Sequence, residues 1–203
     1  MSVLRLYKDD TLTSMVSIAG EFSNPDEETS LDGTNGETAV AALWVAVEQS
    51  TLAADIDDTT QTVTLAADRF ADTDYPVLVV GTEKMLITSG FGTSTLTVNR
   101  GYNNTTAASH TTGDPVRVAY DSSSITIDCE DNQGADESGW VTYCDDDGGG
   151  SPDGVWEAPH SLSNLTVDQN AAIHRRVVVP ASTPAAFKQD LVHRLAATIN
   201  EIS

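Results

Sequence analysis

His110 and Asp114 come nearest, by type and spacing, to acid–base chemistry in this chain. An imidazole and a carboxylate stand four residues apart in the stretch His110-Thr111-Thr112-Gly113-Asp114-Pro115. Proton transfer also needs a partner geometry and a reacting centre. The sequence holds no G-x-S-x-G elbow, and neither cysteine reads as a nucleophile beside a histidine. The plainer expectation is that His110 hydrogen-bonds within a tight β-turn and that Asp114-Pro115 ends the loop.

Metal chemistry has two acidic candidates. Asp145-Asp146-Asp147 and Asp55-Ile56-Asp57-Asp58 offer clustered oxygens of the kind Ca²⁺ prefers. Neither follows the EF-hand spacing or closes on a glutamate, so solvated loops are expected and no cofactor is assigned. Cys129 and Cys144 are close in sequence. A bridge between them would contribute about 3 kcal/mol in the chain-entropy model. Two buried free thiols are the alternative for a chain made in a reducing compartment. Zinc would need more ligands of matching spacing than this region offers, His160 being the nearest histidine.

Sugar hydrolysis needs two acids flanking a cleft, commonly one lined with aromatic rings. Only 6 % of the residues are aromatic, and core packing is the expected role of Trp44, Trp140 and Trp156. No catalytic constellation emerges, and an enzyme is not expected.

The charge balance is unusual. Thirty-one acids face ten bases over 203 residues, for a net charge of -21, and only Lys8, Lys84 and Lys188 are lysines. Such a chain repels itself, and molar salt screens that repulsion over a Debye length of roughly 3 Å. The Asp-rich, Lys-poor composition resembles that of haloarchaeal proteins. It also speaks against direct binding to DNA or RNA, which rests on Lys and Arg neutralising phosphates. The N-terminus MSVLRLYKDD carries no signal-peptide pattern, and no apolar run approaches the roughly 20 residues a membrane helix needs. Synthesis in the cytoplasm, without membrane insertion, is therefore expected.

The elements that must position these residues read as strands. Val3–Tyr7, Met15–Ala19, Thr60–Leu65, Val77–Val80, Met85–Thr88, Leu96–Val98 and Val116–Ala119 are short apolar or alternating runs. Ser124–Cys129, Trp140–Tyr143, Leu162–Val167 and His174–Val179 continue the series. Ala39–Val47 suits a strand buried on both faces, with an Ala-rich helix as the alternative. Leu191–Ile202 reads as a last strand or a short docking helix. Between them, Glu21–Thr38 and Asp145–Gly154 are loop-like in composition.

Two stretches carry a resemblance. Leu96–Val118, LTVNRGYNNTTAASHTTGDPVRV, resembles a small β-module of structural proteins of tailed phages and tailed archaeal viruses. The pattern there is strand, RG-x-x-GTTAA-x-H-x-x-G-x-x-V, strand. Its motif positions fall here on Arg100, Gly101, Thr105, Thr106, Ala107, His110 and Gly113. Asn104 stands where the pattern has glycine, a mild departure because asparagine tolerates the left-handed backbone. Further on, Gly139-Trp140-Val141, the DDDGGGSPDG loop, Trp156 and the run Arg175 to Pro184 resemble the end of an Ig-like β-sandwich of phage structural proteins.

The resemblances imply an all-β fold. An Ig-like β-sandwich, residues 1–51 and 121–203, would be interrupted by a small barrel-like module, residues 52–120. They imply a virion protein in a homo-oligomer with other virion proteins as partners, on the tail tip or baseplate. A capsid decoration or vertex turret is the alternative, and a host-surface receptor-binding role is a third reading.

The charge generates a first prediction. The fold melts at a higher temperature in molar salt than in dilute buffer, by calorimetry or circular dichroism; equal melting temperatures would contradict the halophilic reading.

Overall fold

The computed structural model describes residues 3–17, 24–26, 30–132, 134–184 and 191–203. All regular elements among them are strands apart from two short 3₁₀ turns, Tyr102–Asn104 and Ser138–Trp140. In chain order the strands are β1 (Leu4–Tyr7), β2 (Glu37–Val47), β3 (Gln49–Thr51), β4 (Thr62–Thr64), β5 (Val77–Val80), β6 (Glu83–Ser89) and β7 (Thr95–Asn99). They continue with β8 (Pro115–Val118), β9 (Tyr120–Asp131), β10 (Val141–Asp145), β11 (His160–Leu162), β12 (Asn170–Val179) and β13 (Leu191–Glu201).

Three antiparallel sheets result. The order is β1-β2-β12-β10 in the first, β11-β9-β13 in the second and β3-β8-β5-β6-β7-β4 in the third. The first two form the sandwich. Leu43, Val45, Ile173, Val141 and Tyr143 of one sheet, and Ile125, Ile127 and Leu162 of the other, are buried in the same core. The third sheet curls into the barrel-like module. Its edge strands β3 and β4 meet where Leu52 bridges Leu65, with Ala53 N donating to Thr64 O at 2.8 Å and Ala66 N to Thr51 O at 3.0 Å. The row Val63, Leu78, Met85, Leu96, Val98 and Val116 fills its interior.

The fold is thus all-β, a sandwich with a barrel-like module. Strands of the six-stranded sheet come from Gln49 through Val118, so that sheet begins three residues before the expected position 52. Leu191–Glu201 is a strand, and so is Ala39–Val47 within β2. The latter is not buried on both faces: Leu43 and Val45 through Val47 are buried, while Val40 is 47 % exposed. Leu162–Val167 is a strand only at its start, with Leu165 adding a bridge to Ser122. Met15 makes a single bridge to Tyr7, and residues 18–19 of the expected Met15–Ala19 strand lie outside the described residues, as do parts of the 21–38 loop.

The tryptophans are a correction. None of the three belongs to the fully buried core, whose large side chains are Tyr7, Phe70 and Tyr143. Trp156 instead lies under the Arg176 guanidinium, 4.5 Å from carbon to ring centre.

Glu48 joins the two lobes. Its backbone N donates to Val3 O at 2.8 Å, and its carbonyl accepts from Val118 N at 3.2 Å. The buried carboxylate takes Arg5 Nη2 at 2.6 Å on the sandwich side and the Phe70 N–H at 2.8 Å on the module side. At the second crossing, Ala119 N donates to Val77 O and Ile202 N to Ala119 O. Lys84 of the module, itself buried, donates from Nζ to Ile202 O. Both ends of the insertion are therefore pinned by polar groups that burial obliges to pair.

Candidate functional site

The motif residues of the RG stretch converge on one carboxylate, Glu83 at the start of β6, which is 1 % exposed. Arg100 follows β7 and meets it with two parallel bonds, Nε to Oε1 at 2.7 Å and Nη2 to Oε2 at 2.8 Å. Gly101 N donates to Oε1 at 3.0 Å, and Ala108 N to Oε2 at 3.1 Å. His110 Nε2 lies 2.9 Å from Oε2. Burial alone would raise the Glu83 pKa. The bonds from Arg100, the Ala108 N–H, His110 and the Gly101 N–H outweigh it and bring the value down to about 2. Glu83 is ionised at neutral pH and can only accept, so His110 Nε2 carries the proton in that bond.

Arg100 is equally committed. Its remaining N–H groups reach Asp57 O at 2.6 Å and Thr60 O at 2.8 Å from Nη1, and Ala108 O at 2.6 Å from Nη2. All five guanidinium donors are thereby used, a planar fork that lysine cannot reproduce. The Asp57 carboxylate folds the turn that presents two of those carbonyls, accepting Thr59 N at 2.9 Å and Thr60 N at 2.7 Å.

Local chain geometry explains the other motif positions. Gly101 has φ +60, and a Cβ there would stand 3.0 Å from Thr105 O and 3.3 Å from Ala107 N. Asn103 and Asn104 also adopt positive φ, 53 and 63, so Asn104 holds the left-handed turn where the pattern has glycine. Thr105 Oγ1 accepts from Lys84 N at 3.0 Å and donates to Tyr102 O at 2.8 Å, tying the turn to β6. Ala107 is half-buried and Thr106 exposed. Gly113, at φ +91, has its N–H on Leu52 O at 2.8 Å.

His110 and Asp114 do not form a pair. Asp114 accepts from Thr111 N at 2.9 Å within its own turn. The imidazole leaves that turn for Glu83, twenty-seven positions earlier, which corrects the expectation of a bond inside a tight turn. A cleft of about 360 Å³ borders His110 on one side, walled by Gly81, Asp114, Arg117, Asp168 and Ile202 among others.

The acidic runs are engaged as turns. Asp146 Oδ1 accepts Gly148 N at 2.7 Å and Asp147 Oδ1 accepts Gly149 N at 2.7 Å. Asp146 Oδ2 meets His174 Nε2 at 2.9 Å, and Asp145 meets His160 Nε2 at 3.1 Å. Asp55 Oδ1 accepts Thr112 N at 2.7 Å. Among the described residues no group of three or more His, Cys, Asp or Glu side chains could hold a metal ion. Cys129 on β9 and Cys144 on β10 are free and buried in this structure. Burial, with Asp128 and Asp131 nearby, pushes the Cys129 thiol up to about 12, and burial raises Cys144 as well. Both are poor nucleophiles in this state.

A third buried carboxylate, that of Asp26, carries no motif in the sequence. Its Oδ2 takes Arg175 Nε and His193 Nε2, each at 2.9 Å, and His193 Nδ1 lies 2.6 Å from the Tyr143 hydroxyl. The order acid, imidazole, hydroxyl looks like a proton relay. The Tyr143 side chain is fully buried, however, and burial drives its pKa far up, so no substrate reaches it. The partners lie 149 and 167 positions from Asp26, a separation with no local motif to read. Glu83 was missed for a related reason: it stands among apolar strand residues, and the RG motif names its ligands without naming it.

No protein-family model matches the chain, and no curated protein or solved structure matches it either.

The hub generates two expected outcomes. Arg100→Lys, with three N–H groups in place of five, destabilises the fold by about 3 kcal/mol, read from denaturant unfolding. A carboxylate whose folded pKa is depressed stabilises fully above its unfolded value and loses that contribution as pH falls. The Glu83 share of stability therefore disappears between about 4.5 and about 2. Glu83→Gln flattens the pH dependence in that window; an unchanged slope would contradict the assignment.

Proposed function

We propose that this chain is a non-enzymatic structural protein of a tailed virus particle, one that infects a halophilic archaeon, and that it forms an oligomeric exterior part of the tail tip or baseplate. The observation that carries this reading is the use of the RG stretch. Its two basic side chains, Arg100 and His110, are held by Glu83 and by carbonyls of the module's own turns, with Arg100 and Glu83 saturated by hydrogen bonds. Such an arrangement stiffens a small β-module, as a structural role requires. The net charge of -21 supports the halophilic setting and weighs against nucleic-acid partners.

The two-lobed form supports a role in assembly. A sandwich presents strand edges and faces to neighbours, and a rigid second lobe extends the surface available for contact. Contact with the host surface is a second reading. It is favoured by the glycine-rich 148–154 loop and by Val155 beside it, which is 59 % exposed.

Cryo-electron microscopy of purified particles in molar salt tests the proposal. Density for the two-lobed chain at the tail tip is the expected result. Density on the capsid shell would transfer the role to decoration or turret, and absence from the particle would overturn the virion reading.

A further inference from the structure

The edges of a β-sheet carry unpaired N–H and C=O groups that attract another strand unless they are short, covered or disrupted. Among the described residues nearly every edge of this molecule is managed in one of those ways. The outer edge of β1 is taken by the segment that follows it: Tyr7 bridges Met15, Val16 N donates to Leu6 O at 2.8 Å, and Lys8 N to Ser14 O at 2.9 Å. β10 is covered where Tyr143 and Glu157 exchange two bonds of 2.8 Å and Asp153 N donates to Asp145 O at 3.0 Å. β3 and β4 turn toward each other at Leu52 and Leu65. β11 has only three residues.

β13 is the exception. It runs for eleven residues, Leu191–Glu201, with one register shift between Ala196 and Thr198, and among the described residues its ladder pairs only with β9. The sequence LVHRLAATINE contains neither proline nor lysine, the residues that commonly block an edge. Its core-facing row is incompletely covered. Leu195, Ala197 and Ile199 pack against the core but stay partly exposed, whereas Ile125 and Ile127 of the adjacent strand are 1 % and 0 % exposed.

We propose that β13 is a self-association edge, on which a second copy of this chain lays its own β13 antiparallel across a two-fold axis. The two three-stranded sheets then become one sheet of six strands. Two identical strands paired antiparallel are self-complementary, so the contact closes at two copies. Charge also favours a second copy here. A chain of net charge -21 repels itself over most of its surface, yet β13 holds a single acid, Glu201, against Arg194. Pairing centred on Ala197 sets Leu195 of each copy against Ile199 of the other, with no acid facing an acid. Ala197 at the axis is small, which lets the two copies approach closely there. A neighbouring strand would also cover the half-exposed row.

This inference rests on the strand edge and not on the virion reading. Its test is the mass of the purified protein in molar salt together with a cross-link. Sedimentation should show a dimer. Ala197→Cys, which faces its own counterpart across the axis, should form a covalent dimer under mild oxidation. The exposed control Thr62→Cys on β4 should not, and Cys129 and Cys144 are buried. Ala197→Glu, placing two carboxylates face to face, should weaken association by about tenfold or more. A wild-type monomer at high concentration, or a dimer in which Ala197→Cys links no faster than the control, overturns the pairing. If Ala197→Glu fails to fold, the cross-link decides alone. Failure here leaves the particle role standing, since that role is read from position in the virion.

Discussion

The structure of the module depends on the cost of burying one carboxylate. An ion taken out of water loses several kcal/mol of solvation, and only near-complete hydrogen bonding offsets that loss. Glu83 is withdrawn from solvent and receives Arg100 twice, two backbone N–H groups and His110. The donors are spread from Arg100 to His110, so satisfying one charge fixes the path of the whole connection. Arg100 extends the constraint to the 57–60 turn through two more carbonyls. Glycine at 101 and alanine at 107 follow, because the chain must pass within van der Waals range of itself to place these donors.

The same principle operates at the joints. Glu48 and Arg5 form a buried pair at the first crossing between lobes, and Lys84 reaches the end of β13 at the second. Asp26 ties Arg175 of β12 to His193 of β13 across the sandwich. Buried ion pairs of this kind stabilise little relative to apolar packing, but they penalise any alternative arrangement that leaves a charge alone. In a chain with ten bases and thirty-one acids, buried arginines are placed where they fix geometry. The abundant surface acids are then left to Asx turns and solvent, as at Asp32, Asp57, Asp146 and Asp147.

Much of this was legible in the residues. Alternation and β-branching located Val77–Val80 and its neighbours. The left-handed turn at Asn104 was readable because few side chains tolerate it. Three things were not readable. Glu83 and Asp26 act through partners distant in sequence, and neither an acid at the start of a strand nor one among other loop acids carries a local sign of its role. The tryptophans were expected in the core on size alone, yet Trp156 covers Arg176 near the surface instead. The exposure of Val40 within an unbroken apolar run shows the limit of pattern: nine apolar residues suit a strand or a helix and do not say which end is covered.

Amide hydrogen exchange at Gly101 and Ala108 tests the central claim most directly. Both N–H groups lie outside the strand ladders and owe their protection to the Glu83 carboxylate. At neutral pH they should exchange as slowly as the paired amides of β6 and β7. Exchange at the rate of open loop amides, with β6 and β7 still protected, would contradict a module organised around that charge.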